Sequence, residues 1–509
     1  MAINQLKAGV VLSYIAIALN NIVGLLYTPF MLRMMGQNEY GLYSLVASVV
    51  AYLTVLDLGF GNAIIRYTAK FRTEGKVKEQ YEMFGMFILL YSGIGLIAFC
   101  IGLGLYFNID NLFNTTMGTE ELYKIRIMMM MMIFNIAFTF PMSIWGAIIT
   151  AYENFVFQKL VNIARIVLNP LVMILLLYMG YKAIAMVVVI TAFNVATLCI
   201  NAWYCRNKLH IKIKFGHFQW RFLREITMYS FWIFLDSIMN RIYWSTGQFI
   251  LGVVSGATVI AVYAVAIQLS NIFISFSTSI SGVFLPKVTA MVTQGNNEKA
   301  ISDLFIRTGR TQYIIMAFIL IGFILFGKQF IILWAGENYT EAYVITLLFF
   351  IPLTIPLIQN IGISIVQARN QVKFRSIMYV IISIASLGIS IPLAKLYGGV
   401  GCAIGTSSAL IMGQIIAMNI FYYKKIHIDI PTFWKEIMKM SVFPILIGVV
   451  GWVVLRSVQL NNVLSLTTAI ICFSIIYIPL IWFTTMNNYE RNLLGSPIKN
   501  IFYKIIKKS

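Results

Sequence analysis

Charged residues are scarce in this chain, and acidic residues are the scarcest of them. Asp, Glu, Lys and Arg together make up 11% of the 509 residues, whereas 60% are hydrophobic and the mean hydropathy is +0.84. A water-soluble domain of this length could not cover its surface with so few charges. The composition therefore excludes a soluble globular protein and predicts an all-α polytopic membrane protein.

Histidine and cysteine, the usual ligands of transition metals, are also few. The three histidines, His210, His217 and His427, lie in connecting segments, and the five cysteines fall in or beside apolar runs without a paired short spacing. This pattern fits neither a metal site nor a Ser-His-Asp triad at membrane depth. A Gly-x-x-x-x-Gly-Lys-Ser/Thr phosphate loop is missing too. We therefore expect no metal, no cofactor and no enzyme activity.

Apolar runs of membrane-spanning length recur along the whole chain. Runs of about 20 residues cross the roughly 30 Å hydrocarbon layer as helices, and none of these alternates like a β-barrel strand. We predict about fourteen transmembrane helices, at 9–30, 41–62, 83–107, 124–149, 160–180, 183–204, 227–251, 259–285, 311–333, 342–366, 376–396, 399–422, 440–458 and 464–485. The first run extends well past a small-residue pair at Ala16 and Ala18, so we expect it to be a retained span.

The basic residues concentrate in alternate loops between these runs. Roughly 29 of the 38 Lys and Arg residues fall on one side, against about 7 on the other, which places both termini in the cytoplasm. Basic loops between apolar spans are the ordinary pattern of a membrane protein. We therefore interpret the net charge of +20 as contact with membrane lipids and expect no nucleic acid partner.

A weak internal repeat appears at a spacing of about 220 residues. Gly36 and Tyr43 fall opposite Gly256 and Tyr263. Because six spans separate the two copies, both run in the same direction, which predicts two six-helix bundles in parallel repeat plus a C-terminal helix pair. The predicted divisions are 1–225, the first bundle with its cytoplasmic linker; 226–425, the second bundle; and 426–509, helices 13 and 14 with an amphipathic tail.

Polar residues inside predicted spans are the candidate functional residues, since each charge costs about 2.5 to 3.5 kcal/mol at mid-depth and must face protein or water. We expect them to line a wet cavity between the bundles, where guanidinium groups can hold a phosphate or pyrophosphate. The candidate substrate-binding residues are Arg241, Arg165, Arg33, Arg66, Asn20, Asn21, Gln248 and Asn271. The candidate ion-coupling residues are Asp236 and Asp57. Alternatively, the arginines reach lipid headgroups and the amides join helices.

Several short motifs carry a family resemblance. They are Gly36, Glu39-Tyr40-Gly41-Leu42-Tyr43, Leu56-Asp57-Leu58-Gly59 followed by Ile65-Arg66-Tyr67, Tyr229-Ser230-Phe231-Trp232 opening span seven, and Val262-Tyr263 to Ala266 opening span eight. In this order, spans one to twelve resemble the polysaccharide-biosynthesis, or oligosaccharide (Wzx-type) flippase, family. The resemblance implies membership of the multidrug, oligosaccharidyl-lipid and polysaccharide exporter superfamily, with two six-helix lobes around a central cavity.

The resemblance also implies a function. Flippases of this kind move undecaprenyl-pyrophosphate-linked oligosaccharide repeat units across the bacterial cytoplasmic membrane by alternating access. It implies a lipid-linked oligosaccharide as substrate, H+ or Na+ as the coupling ion and a polysaccharide polymerase as a partner. Spans thirteen and fourteen look like the helix pair that forms a lipid-tail groove in related lipid II flippases. A multidrug or cation antiporter and a membrane-embedded glycosyltransferase or polymerase remain alternatives.

Overall fold

The computed structural model describes most of the chain as helices joined by short connections. The described residues are 5–57, 59–216, 234–235, 238, 240–241, 243–293, 298–369, 371–458, 460–493 and 495. Within these ranges no β-strand occurs, which agrees with the predicted all-α class. Asp236 and the tail at 498–508 lie outside the described residues, so what we expect of them remains a prediction.

The chain divides into two compact units, of which the first comprises residues 1–264 and 379–406. Its helices are α1 (Gln5–Met35), α2 (Gln37–Leu53), α3 (Phe60–Thr73), α4 (Val77–Phe107), α5 (Ile109–Phe113), α6 (Thr119–Ala151), α7 (Phe155–Tyr178), α8 (Ala183–Asn207), α9 (243–254) and the start of α10 (Ala257–Thr293). Helix α6 is central, because it packs against α2, α3, α4 and α8. Large buried side chains such as Phe84, Phe87 and Ile144 fill the space around it.

The second unit comprises residues 265–378 and 407–509. It holds the rest of α10 together with α11 (Glu298–Trp334), α12 (Ala342–Ile358), α13 (Ile361–Ala368), both ends of α14 (Val372–Leu410), a π-helical turn (Ile411–Ala417), α15 (Met418–Lys424), α16 (Ile430–Leu455) and α17 (Val463–Thr484). Here α11 is central and packs against α12, α16 and α17. The predicted division into three segments at 225 and 425 remains a prediction.

The number of membrane spans is close to the predicted number without matching it. Among the described residues, eleven helices are long and apolar enough to cross a membrane, or up to twelve if the bent pair α12 and α13 forms one span. The predicted count of fourteen is therefore not confirmed. One of the eleven, Lys373–Lys424, has 52 residues. As a straight helix it would be about 78 Å long, more than twice the hydrocarbon thickness.

The chain reverses direction inside this long segment. Gly398 has a positive φ of 53°, a conformation that glycine adopts without a steric penalty. Beyond it the chain returns along α14, since Ser390 Oγ donates to Cys402 O at 3.2 Å and a Cβ at Gly401 would lie 1.9 Å from Leu393 O. The segment is thus a helical hairpin, with its turn between the predicted spans 376–396 and 399–422.

Candidate functional site

Helices α1 and α7 are parallel neighbours, and contacts near both ends fix their register. A Cβ at Gly9 would meet Phe155 Cβ at 2.6 Å, and the rings of Phe30 and Tyr178 are 5.4 Å apart. Arg165 is ten residues beyond Phe155, roughly 15 Å along α7, and Asn20 is a similar distance beyond Gly9 along α1. The structure therefore brings Asn20 and Asn21 level with Arg165 on the adjacent helix.

Arg165 belongs to a polar network that joins three helices of the first unit. Its Nη1 donates to Asn194 Oδ1 of α8 at 3.3 Å. The Asn194 amide donates in turn to Asn135 Oδ1 and Thr139 Oγ1 of α6, both at 2.8 Å. Among the described residues, Asn194 is the one side chain that hydrogen-bonds to the Arg165 guanidinium. Most of the five N–H donors of this arginine therefore remain available to a ligand.

Asp57 lies where the second predicted span is broken. Helix α2 ends at Leu53, a 3-10 turn covers Thr54–Asp57, and Gly59 begins α3 in the left-handed conformation. The half-buried carboxylate accepts a 2.8 Å hydrogen bond from Tyr91 Oη of α4. The Tyr91 ring in turn stacks on Phe140 of α6, so Asp57 is separated from the network around Asn135 and Thr139 by one layer of side chains.

These residues share one depth in the unit. Each lies within about one helical turn of the middle of its helix, or, for Asp57, of the candidate span Gln37–Thr73. We call this set the mid-depth polar belt; it consists of Asn20, Asn21, Asp57, Tyr91, Asn135, Thr139, Arg165 and Asn194. Ionisable residues at the centre of membrane-spanning helices usually face a protein interior or a water-filled cavity and mark a functional site, and they seldom face lipid.

Arg241 lies in the same unit as the belt, five residues before Thr246 of α9. Helices α2 and α9 are antiparallel, since Tyr52 Oη lies 2.5 Å from Thr246 Oγ1 and a Cβ at Gly252 would meet Leu45. Arg241 precedes α9 and is exposed, and Asp57 lies beyond the end of α2, so this register does not extend to either residue. A place for Arg241 beside the belt remains a prediction.

The other predicted residues are not brought into the belt. Arg33 is exposed in the last turn of α1, about 20 Å beyond Asn20, and Arg66 is exposed on α3 with its guanidinium 5.8 Å from the centroid of the Tyr67 ring. Gln248 is half-buried two turns beyond Arg241, and Asn271 is exposed in the second unit. Their roles as substrate-binding residues remain predictions.

Sequence reasoning missed several belt residues. Asn135, Thr139, Asn194 and Tyr91 stand singly in apolar runs, where an amide or hydroxyl usually joins helices. The one sequence feature that could have identified these residues is their position near the middle of a span. Gln158, two turns before Arg165 on α7, instead joins α7 to α6: it donates to Gly146 O at 3.3 Å and accepts from Thr150 Oγ1 at 3.0 Å.

The second unit carries an apolar groove instead of a polar belt. Helices α11, α16 and α17 enclose about 830 Å³ lined almost wholly by aliphatic and aromatic side chains, among them Leu325, Phe443, Val450, Val454 and Phe473. Val450 is 61% exposed. A space of this composition suits a hydrocarbon chain and offers very little to a sugar or a phosphate.

A buried ion pair fastens the last helices of the second unit to α11. Arg310 Nε and Nη2 donate to the two carboxylate oxygens of Glu490 at 2.6 and 3.1 Å, and Nη1 donates to Glu436 of α16 at 2.5 Å. The Glu490 side chain is completely buried. Arg310 was counted from sequence as a loop cation only, because its partners lie 126 and 180 residues further along the chain.

Comparison with known proteins gives matches in both sequence and structure. The family model described as "Polysaccharide biosynthesis protein" matches residues 6–292. A curated protein of Shigella flexneri, named "Putative O-antigen transporter", is 22% identical over 400 residues, which is 76% of this chain and 90% of that protein.

Among solved structures, the lipid II flippase MurJ in an inward closed conformation superposes with a TM-score of 0.69 at 15% identity, over 93% of this chain and 99% of that one. An inward-facing multidrug resistance transporter of the MATE family, which belongs to the MOP superfamily, gives a TM-score of 0.56 at 15% identity, over 82% of this chain and 96% of the other. The chain thus shares its fold with these two transporters.

Proposed function

Since the chain belongs to the polysaccharide biosynthesis protein family, we propose that it is a flippase for undecaprenyl-pyrophosphate-linked oligosaccharide repeat units. The single observation that carries this proposal is the mid-depth polar belt with Arg165 at its centre. The proposed setting is the bacterial cytoplasmic membrane, with both termini in the cytoplasm. The O-antigen transporter named above and the MurJ-like fold support a lipid-linked substrate.

In this proposal Arg165 and Arg241 hold the pyrophosphate while the sugars occupy the polar interior. Guanidinium groups bind phosphate oxygens through paired N–H donors, and Arg165 has donors to spare. The amides of Asn20 and Asn21, level with Arg165, can exchange hydrogen bonds with sugar hydroxyls. These guanidinium and amide groups would thereby replace the water molecules that the substrate headgroup loses on leaving the membrane surface.

The polyprenyl chain would lie in the apolar groove of the second unit. The groove is lined by apolar side chains along α11, α16 and α17, so a chain that enters it from the bilayer stays in hydrocarbon surroundings and gains packing contacts. Substrate would then be held by two separate features, charge at one end and apolar contact at the other.

Alternating access requires that one end of the interior open while the other closes. At the Gly41 end, α2 and the start of α10 are in backbone contact, because a Cβ at Gly41 would lie only 1.8 Å from Ala257 O. Gln37 Nε2 also donates to Thr258 O at 3.3 Å. We infer that this contact is a closed gate. Gly41→Leu should force it apart and reduce transport, whereas Gly61→Leu, where a Cβ meets nothing within 4 Å, is the matched control.

Asp57 is the described candidate for coupling to an ion gradient. One charge moved through 100 mV yields about 2.3 kcal/mol, enough to bias a two-state transporter strongly. Asp57→Asn should therefore remove the response of transport to an imposed pH or sodium gradient. Tyr91→Phe deletes the 2.8 Å hydrogen bond and leaves the carboxylate, so it should retain part of that response.

The proposal is tested by transport in proteoliposomes containing a fluorescent polyprenyl-pyrophosphate-linked disaccharide. Arg241→Ala should abolish movement between leaflets at normal levels of inserted protein, and Lys439→Ala, an exposed cation of the second unit, serves as control. Full activity of Arg241→Ala would remove this residue from the mechanism. If the wild-type protein exports a drug but does not move the lipid-linked sugar, and Arg241→Ala loses the drug export, the result would favour the antiporter that the MATE-like fold allows. A covalent sugar product would favour the enzyme.

A further inference from the structure

A second polar cavity lies at the end of α8, away from the mid-depth belt. It has a volume of about 830 Å³, and its lining includes Trp145, Trp203, Arg206, His210 and Lys212. Helix α8 ends at Asn207 after 25 residues, so Trp203 and Arg206 occupy the last turns of a candidate membrane span. That position is the membrane–water interface, where tryptophan is enriched.

The backbone that forms this cavity is held in place from both sides. After α8 the chain turns at His210, whose φ is +50°, and Ile211 N then donates to Cys205 O at 3.0 Å. Further along, Lys214 N donates to Tyr81 O of α4 at 3.2 Å. On the opposite wall, Cys205 Sγ donates to Trp145 O of α6 at 3.4 Å. The cations and indoles are therefore presented by a fixed frame.

The charges of this cavity are all of one sign. Arg206 and Lys212 are exposed, the lining contains no carboxylate, and within the described residues neither cation forms a salt bridge. A smaller cavity of about 510 Å³ in the same unit differs in this respect, because its Lys124 pairs with Glu39 at 2.7 Å. In the described part of the chain, the cations of the cavity at the end of α8 therefore have no carboxylate partner.

We propose that this cavity binds the phosphodiester headgroup of a resident anionic phospholipid, such as phosphatidylglycerol. Arg206 and Lys212 contact the phosphate, and the indoles of Trp145 and Trp203 pack against the glycerol and the upper acyl chains. Basic pockets at the ends of membrane helices suit phosphate headgroups, because each Lys or Arg near the surface favours an anionic lipid about fivefold. The site is separate from the proposed transport pathway and does not depend on it.

Native mass spectrometry of the full chain in detergent, titrated with phosphatidylglycerol, tests the proposal. Arg206→Gln/Lys212→Gln should weaken binding of the first lipid by about 30-fold. The matched variant, Lys208→Gln/Lys214→Gln, removes the same charge from the same segment but outside the lining, and should bind as the wild type does. Phosphatidylcholine should bind all three proteins equally weakly. Equal losses in the two double variants would show diffuse electrostatics and overturn the proposal.

A second measurement needs no charge variant and so guards against misfolding. Brominated phosphatidylglycerol in mixed micelles should quench tryptophan fluorescence, and Trp203→Phe should lower the quenched fraction measurably among the nine tryptophans. Quenching that is unchanged in Trp203→Phe would refute the site. Displacement of the lipid by inorganic phosphate alone, or preference for undecaprenyl pyrophosphate over phosphatidylglycerol at this cavity, would equally overturn a resident phospholipid as its occupant.

Discussion

Arg165 in the first unit is half-buried and Arg310 in the second is buried, and the groups that surround the two guanidiniums differ completely. Arg310 is bound by two carboxylates, and its Nη2 also lies 3.4 Å from Thr485 O. Arg165 has one amide oxygen at 3.3 Å. A guanidinium whose N–H donors all bind to groups of the protein stabilises the fold. A guanidinium with unused donors inside the membrane lowers stability, and such a cost is typical of functional sites.

The largest effect is expected on stability, from Arg310→Ala. The change leaves the carboxylate of Glu490 buried without its partner and should lower the free energy of unfolding by about 3 to 5 kcal/mol. Thermal unfolding in detergent measures this. Lys439→Ala, which removes an exposed partner of Glu436, should cost less than about 1 kcal/mol. Equal losses from the two variants would contradict the structural role of Arg310.

Arg165→Ala, in contrast to Arg310→Ala, should reduce transport strongly and stability little. Loss of guanidinium contacts to a pyrophosphate should slow transport by about 10- to 100-fold, since a charge-assisted hydrogen bond contributes about 1.5 to 3 kcal/mol. The unfolding temperature should change little, because the residue makes a single internal contact. Transport rates in proteoliposomes, measured beside thermal unfolding, separate the two quantities. A strongly destabilised Arg165→Ala with undiminished transport per folded molecule would make Arg165 structural.

A large side chain placed in the groove of the second unit should slow transport. Val450→Trp places a large side chain in the groove and should reduce transport of a long polyprenyl substrate by about three-fold, the equivalent of roughly one buried methylene group. A substrate with a short isoprenoid chain should be less affected. Val449→Trp, on the same helix but outside the groove lining, is the control, and an equal loss there would argue against a tail site.

The smallest effect is expected from the contact between Arg165 and Asn194. A double-mutant cycle with Arg165→Ala and Asn194→Ala should give a coupling energy of about 0.5 to 1.5 kcal/mol in unfolding. The corresponding cycle for Arg310 and Glu490 should give a clearly larger value. Similar coupling energies in the two cycles would remove the distinction between the paired and the available arginine.

Much of the fold was predictable because length and hydropathy alone decide whether a helix can cross a membrane. The predicted spans 376–396 and 399–422 left a boundary at 397–398, and the reversal occurs at Gly398. The break of span two was not predicted, although Asp57 and Gly59 stand in the apolar run at that point. Local sequence indicates which segments are helical, but it does not report that Asp57 accepts a hydrogen bond from the distant Tyr91.

The candidate site was predictable only in part. Charge within a predicted span identified Arg165 and Asp57, because the cost of a charge in the bilayer can be assigned from the span alone. Which residues surround them depends on the register between helices, which needs contacts such as Phe30 with Tyr178 or Tyr52 with Thr246. The partners of Arg310 could not be found from sequence for the same reason.

The pairing of Arg310 with Glu490 also bears on biosynthesis. At about 5 to 20 residues per second, a ribosome needs roughly 10 to 40 s to translate the 180 residues that separate them. During that interval the arginine lacks one of its two carboxylate partners, since Glu436 is translated first. A chain that stops before Glu490 would leave Nε and Nη2 of Arg310 without that partner in the interior, so prematurely terminated products should be less stable and selectively degraded.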